Sequence, residues 1–216
     1  MNIKETYESR TYVSNTIIKR KFVNRLKDVS GFKILDVGCG AGDISKTLVN
    51  KNDVHGIDLS ARNVKIAKSC GIQAVEHSVE NRFPYKTNTF DIIICSEIME
   101  HLFNPENVIK ESYRILKNGG SLLLSTPNFY SLINRLLIIK GHHTGIELPD
   151  ITAREHIRFY SHRGLKIMLE ANEFRIIRQE GIGFHPFIDG KVLRFIERNF
   201  KTVCDGIFIE AVKVKI

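Results

Sequence analysis

Ile34-Leu35-Asp36-Val37-Gly38-Cys39-Gly40-Ala41-Gly42-Asp43 is the stretch on which the fold turns. The run from Lys33 to Val37 reads as a short apolar strand, and it empties into three glycines within five residues. A helix is expected after the turn, through about Val49, and a second strand at Val54 to Ile57. Strand, glycine turn and helix in succession build a ligand site at the carboxyl end of a first strand.

Working outward, strand and helix keep alternating. Ser60 is placed to cap a helix running to about Ser69, which Gly71 ends, and Ile72 to Val75 follows as a third strand. Phe90 to Cys95 is an isoleucine-rich fourth strand, Pro105 to Leu116 a helix, Asn118-Gly119-Gly120 a turn, and Leu122 to Leu124 a fifth strand. This alternation predicts an α/β fold with a mostly parallel sheet covered by helices on both faces. Upstream, Val13, Ile17, Ile18, Phe22, Leu26 and Val29 fall at helical spacing, so residues 11–29 are expected to form an amphipathic helix. Residues 126–160 break the rhythm with Pro127, Gly141, Gly145 and Pro149 around an apolar helix near 131–139, and are expected to form a cap over the carboxyl edge of the sheet. A helix from Ser161 to Ala171, strands at Phe174 to Glu180 and Gly206 to Val214 forming a hairpin-like pair at one edge, and a short helix from Val192 to Phe200 complete the chain. The expected organisation is one domain: an N-terminal helix (1–30), a ligand-binding core (31–125), the cap (126–160) and a closing helix with strands (161–216).

The 216 residues carry 43% hydrophobic and 26% charged side chains, a globular balance. The net charge of +8 favours anionic partners, but the Lys and Arg residues are spread along the chain rather than gathered into a binding strip. The four cysteines show neither a Cys-x-x-Cys pair nor zinc spacing, which points to reduced thiols and a cytoplasmic setting. Met1 to Arg10 is polar, unlike a secretory leader, and no apolar run is long enough to span a bilayer.

The chemistry of the glycine turn selects its ligand. A dinucleotide fingerprint needs a third glycine where this chain has Asp43, and Asp36 beside the turn would repel a pyrophosphate. A dehydrogenase therefore fits badly. S-adenosylmethionine carries an ammonium and a sulfonium and no phosphate, so an acidic strand end suits it. Asp58 stands 20 positions after Gly38, at the end of the second strand, where a carboxylate can accept two hydrogen bonds from ribose hydroxyls.

With these motifs the chain resembles the class I S-adenosylmethionine-dependent methyltransferases, in particular the ubiquinone-biosynthesis O-methyltransferase-like group. The resemblance covers about residues 30–180. It rests on Ile34 to Gly42, on Gly56-Ile57-Asp58-Leu59-Ser60, on Phe90-Asp91-Ile92-Ile93, on Glu97-Ile98-Met99-Glu100-His101-Leu102 and on Arg114-Ile115-Leu116-Lys117-Asn118-Gly119-Gly120. It implies a Rossmann-like, seven-stranded sheet whose last strand is antiparallel, and a donor site formed by Asp36, Gly38, Cys39, Gly40, Asp58, Leu59, Ser78, Val79 and Ser96. The group often carries an acid near the adenine. Ser78 stands at that position here, and Glu80 could substitute if the loop shifts.

Glu97, Glu100 and His101 follow the fourth strand at positions i, i+3 and i+4, which share one face if a helical turn begins there. With His156 from Glu155-His156-Ile157-Arg158 they form a candidate set for Mg²⁺ or another divalent metal. The set resembles that of metal-dependent ubiquinone-pathway O-methyltransferases and of small-RNA 2′-O-methyltransferases. Without a metal, His101 or His156 would act as general base or orient the acceptor, and Glu97 would touch the donor. His142 and His143, and Arg10 and Tyr12 from the N-terminal helix, are further candidates at the margin. The expected function is O-methylation of a small-molecule, lipid-precursor or glycan hydroxyl, which the apolar stretch Phe129 to Ile139 would suit. RNA ribose methylation, or donor binding without catalysis in support of a partner subunit, are the alternatives.

Overall fold

In the computed structural model, residues 16–141, 156–183 and 190–214 are described. Seven strands, β1 Lys33–Val37, β2 Asp53–Asp58, β3 Gln73–Glu76, β4 Phe90–Ser96, β5 Leu116–Pro127, β6 Phe174–Ile182 and β7 Gly206–Lys213, form one sheet in the order β3-β2-β1-β4-β5-β7-β6. The pairs from β3 to β5 are all parallel, and β7 is antiparallel to both of its neighbours. Among the described residues the α-helices are α1 Thr16–Leu26, α2 Ala61–Ser69, α3 Pro105–Ile115, α4 Leu132–Ile139, α5 His162–Ala171 and α6 Gly190–Asn199. This is the Rossmann-like architecture expected from the motifs. No described helix is long and apolar enough to cross a membrane.

The continuous apolar strands are explained by burial on both faces. Leu35, Val37, Ile93, Cys95, Leu122 and Leu124 point to one face, where Val108 and Ile109 of α3 and Leu165 and Leu169 of α5 cover them. The intervening Ile34, Ile92, Ile94 and Leu123 point to the other, under Phe22 and Leu26 of α1 and Val64 and Ala67 of α2. The helix starts follow their cap residues: Ser60, Asn104, Ser131 and Ser161 each accept a hydrogen bond from the backbone amide three residues on. Phe22 meets Phe208 edge to face at 5.3 Å, and α1 is fastened beyond that contact by Lys21 to Glu180 and Glu197 and by Arg25 to Glu210. Ile17, which the helical spacing put on the apolar face, is exposed instead; Val13, Tyr12 and Arg10 lie outside the described residues.

Four expectations are revised. The helix predicted through Val49 is only a 3₁₀ turn at Ser45–Thr47, because Thr47 Oγ1 bonds back to the Ile44 carbonyl and Asn52 Nδ2 takes the Leu48 carbonyl. The Asn118-Gly119-Gly120 turn survives as a bulge within β5, whose pairing jumps from Phe90↔Leu116 to Ile92↔Ser121 around Gly119 at φ 78°. The late strands do pair, but β7 is an interior strand and only β6 is the edge: Ile207, Ile209 and Ala211 fill one face and Phe208 the other, while β6 exposes Arg175 and Ile177. The cap starts later than residue 126, since Thr126 and Pro127 still belong to β5. Of the cap, α4 and residues 156–160 are described; they are stitched to the scaffold by the Asn128↔Tyr160 bridge and by Phe129 against Phe159 at 4.5 Å, and His142 and His143 lie outside.

One glycine of the turn is fixed by packing. Gly42 has φ 82°, and a Cβ there would lie 2.3 Å from Ile72 Cδ1. Left-handed backbone and overpacking together predict that Gly42→Ala costs about 2–4 kcal/mol. A fall in Tm of roughly 5–15 °C in a thermal melt is the expected result for a chain of this size. A shift below one degree would show that the turn relaxes freely.

Candidate functional site

The site lies where the chain reverses direction across the sheet. It runs β1 to β2 to β3 outward, then returns to lay β4 on the other side of β1, so the carboxyl ends of β1 and β4 flank an open crevice. Asp36 sits near the end of β1 and is 4% exposed. Burial pushes its carboxyl up to about 7; the Ser45 hydroxyl opposes this and the nearby Asp58 charge adds to it. Asp58 closes β2. Its Oδ1 accepts from the Ser60 amide at 2.9 Å and its Oδ2 from the Gly40 amide at 2.8 Å, so one carboxylate ties the glycine turn to the start of α2. Burial raises its pKa, and those amides with the Asn63 side chain pull it back. Gly40, at φ 52°, has open space where a Cβ would stand, so a ligand can approach its backbone closely. Gly38 does not have that freedom: a Cβ would come within 2.9 Å of Ile98 Cδ1, which joins the glycine turn to the segment after β4.

The other donor candidates fall around this crevice with different exposures. The Cys39 side chain turns away into the core, where a Cβ on Gly56 would meet its sulfur at 2.7 Å, so Cys39 can offer a ligand only its backbone. Leu59 follows Asp58 and is half-buried, Ser78 is half-buried, and Val79 is buried in the core beneath it. Ser96 ends β4 and its hydroxyl lies 3.2 Å from that of Ser125. Glu80 is committed elsewhere: its Oε1 accepts from the amides of Phe103 and Asn104, the latter at 3.1 Å, which fixes the loop ahead of α3. That leaves Oε2 as the oxygen of Glu80 without a role in this loop. Asp43 pairs with Lys46 at 3.0 Å.

Beyond Ser96 no helix begins. Glu97 has φ 51°, and a 3₁₀ turn spans only Met99–His101. The assumed shared helical face of Glu97, Glu100 and His101 is thus absent, because the left-handed residue breaks the geometry before the first turn. What the fold brings together is Glu100, His101 and His156, whose ligand atoms all lie within 4.8 Å of one another. The two imidazoles are 4.9 Å apart, centre to centre, at 67°. His156 is delivered by the returning segment. The Glu100 carbonyl accepts from the amides of Ile157 and Arg158, Arg158 reaches the Phe103 carbonyl at 2.6 Å, and Tyr160 Oη donates to the Met99 carbonyl. Glu97 stays beside this group rather than in it, with Oε1 accepting from Ser125 Oγ at 2.7 Å. Burial raises the Glu97 carboxyl to about 7, partly offset by Ser125. Burial, and then the neighbouring Glu97 charge, raise the Glu100 carboxyl well above the usual carboxylate range. Ser125, Thr126, Arg158 and Tyr160 were missed in the sequence; two hydroxyls ending the apolar run Leu122 to Leu124 were the available signal.

Both site halves fit the groups implied for them. The ends of β1 and β2 offer two buried acids and Gly40 an open backbone, groups that an ammonium and ribose hydroxyls could meet. Glu100 Oε1 is buried and accepts no hydrogen bond, as a ligand oxygen awaiting a cation would.

A parallel sheet with one antiparallel inner strand, an acid at the β1 end and a second at the β2 end define a class I methyltransferase. A family model described as a methyltransferase domain matches residues 11–179. The ubiquinone biosynthesis O-methyltransferase of Xanthomonas oryzae pv. oryzae is 32% identical over 177 residues, covering 79% of this chain and 74% of that one. The mitochondrial ubiquinone biosynthesis O-methyltransferase of Rattus norvegicus is 34% identical over 171 residues, covering 74% of this chain and 49% of that one. Among solved structures, a SAM-dependent methyltransferase from Archaeoglobus fulgidus superimposes with a TM-score of 0.65 at 17% identity, covering 98% of this chain and 100% of that one. The chain belongs to this methyltransferase family, within the ubiquinone-biosynthesis O-methyltransferase-like group, and its methyl donor is S-adenosylmethionine. Neither the RNA-ribose nor the non-catalytic alternative is favoured by these relatives.

Proposed function

We propose that the chain methylates the hydroxyl of a small, partly apolar molecule, with the acceptor seated between the donor crevice and the Glu100, His101, His156 group. The observation that carries this reading is the pair of imidazoles 4.9 Å apart beside Glu100, one turn beyond the β4 end that flanks the donor crevice. The names of the relatives, ubiquinone biosynthesis O-methyltransferases, support an aromatic or prenylated hydroxyl. So do Phe129, Tyr130 and Phe159, which pack against one another where the cap begins and ends. The four free cysteines suit a reducing compartment such as the cytoplasm.

S-adenosylmethionine supplies a methyl group already activated on sulfur, so the protein's part is chiefly positioning. Asp36 faces the cationic end, the Gly38 and Gly40 backbone passes beneath, Asp58 accepts from the ribose, and Ser78 and Val79 border the adenine. His101 or His156 takes the proton that the acceptor hydroxyl loses as its oxygen bonds to the methyl carbon; the methyl–sulfur bond breaks in the same displacement, and its electron pair leaves with the sulfur as a neutral thioether. Alternatively, in place of an imidazole base, Glu100, His101 and His156 would hold a divalent cation, with Glu97 next to them. Such an ion would lower the pKa of the acceptor hydroxyl.

Methyl-labelled S-adenosylmethionine, incubated with the protein and fractionated cell extract with and without a chelator, tests this reading. Label is expected in a low-molecular-weight or lipid fraction, and loss of that label with chelator supports the cation. Label confined to RNA would overturn the small-molecule acceptor.

A further inference from the structure

The end of β5 carries two consecutive hydroxyl side chains, Ser125 and Thr126, neither of which has any exposed surface. Side chains alternate across a strand, so the two leave opposite sides of β5. Each nevertheless ends on a carboxylate from the segment after β4. Ser125 Oγ donates to Glu97 Oε1 at 2.7 Å, and Thr126 Oγ1 donates to Glu100 Oε2 at 2.9 Å. The backbone adds to the grip, since the Glu97 amide donates to the Ser125 carbonyl at 3.1 Å. The consequence at Glu100 is directional. With Oε2 held by Thr126, the other oxygen is turned toward the imidazoles, 3.9 Å from His101 Nε2, and accepts no hydrogen bond there. A carboxylate without that anchor could rotate about its terminal bond and present either oxygen or neither.

We propose that Thr126 is a positioning residue of the methyltransferase: its hydroxyl fixes the Glu100 carboxylate so that Oε1 faces His101 and His156. This rests on the assignment of Glu100, His101 and His156 to the acceptor side of the site. Thr126 has no exposed surface with which to meet a bound molecule, so its hydroxyl acts through Glu100. The hydroxyl, not the methyl group, carries the role, and two substitutions separate them. Thr126→Val keeps the shape and removes the donor; Thr126→Ser keeps the donor and removes a methyl group.

The test uses the full chain, with uptake of Mn²⁺ read from the electron paramagnetic resonance signal of the free ion, and labelled methyl transfer to cell extract as the second readout. Groups that orient a ligand typically change metal affinity or activity about 10- to 100-fold. T126V is therefore expected to lose about tenfold or more in Mn²⁺ affinity and in turnover. T126S should stay close to wild type in both, and both variants should bind donor with unchanged affinity. If T126S is as impaired as T126V, or more so, the site depends on packing and the proposal is overturned. A T126V protein indistinguishable from wild type overturns it as well. A wild-type protein that takes up no Mn²⁺ removes the cation from the proposed function, and the positioning role is then decided by turnover: equal rates for T126V and T126S overturn it.

Discussion

Asp58→Ala is expected to weaken S-adenosylmethionine binding by about 1.5–3 kcal/mol, roughly a ten- to hundredfold rise in Kd. In the proposed function the carboxylate accepts from the ribose, and its two oxygens also take the Gly40 and Ser60 amides at 2.8 and 2.9 Å. Alanine removes the ribose partner and leaves both amides without theirs, so the glycine turn loosens at the point where the ligand passes over it. Asn is not a conservative replacement here, because it would aim an amide donor at one of two backbone donors. Asp58→Asn should therefore rank with Asp58→Ala. Titration calorimetry with the donor reads the effect, and an unchanged Kd would remove Asp58 from the ribose. The same titration across pH tests Asp36. Its carboxyl, held near 7 by burial, is protonated below that value and ionised above it, and the donor's cationic end favours the ionised form. Affinity should accordingly rise from pH 6 toward pH 8 and level off, and Asp36→Asn should flatten the profile.

His101→Ala and His156→Ala carry the second large effect. Loss of a positioned general base lowers turnover by about 10²- to 10⁴-fold. Donor affinity should stay within about twofold, since neither ring belongs to the donor crevice and a factor of two is only about 0.4 kcal/mol. The histidine that is the base should show the larger fall, and the other the smaller one of an orienting group. Single-turnover measurement with pre-bound labelled donor separates the two quantities. A variant that fails to bind donor would show that its ring lies against the donor rather than the acceptor.

The sequence was most informative where a local motif forces one backbone path. The glycine turn, the Asp58 position, the Ser60 cap and the alternation of apolar strands with helices are set by steric rules and burial within a few residues. Each appears in the structure near its expected place. The Gly38–Gly42 turn pointed to a cationic donor because Asp36 and Asp43 are acids beside it and a third glycine is missing, features legible without knowing what packs around them. Reading failed where distant groups decide the outcome. The helix after the turn shrank to 3₁₀ because Asn52, from the next connection, captures the Leu48 carbonyl. The late strands stand as a pair at one edge of the sheet, as expected, but which of them is outermost is decided by β7 pairing with both β5 and β6, a choice no local pattern carries.

The acceptor side shows the division most clearly. Glu97, Glu100, His101 and His156 are all visible as residue types, but spacing suggested a helical face that a single left-handed residue at Glu97 abolishes. That conformation, the Ser125 and Thr126 anchors on β5, and the clamp of residues 156–160 onto the Glu100 carbonyl are long-range facts. They join segments 26 to 58 residues apart in the chain, and no local rule encodes them. The sequence by itself determined the sheet, the donor and the identity of the candidate catalytic groups, because backbone sterics and burial act locally. Only the tertiary structure decided which of those groups stand together, because packing of β4, β5 and the returning segment sets the distances on which proton transfer and ligation depend.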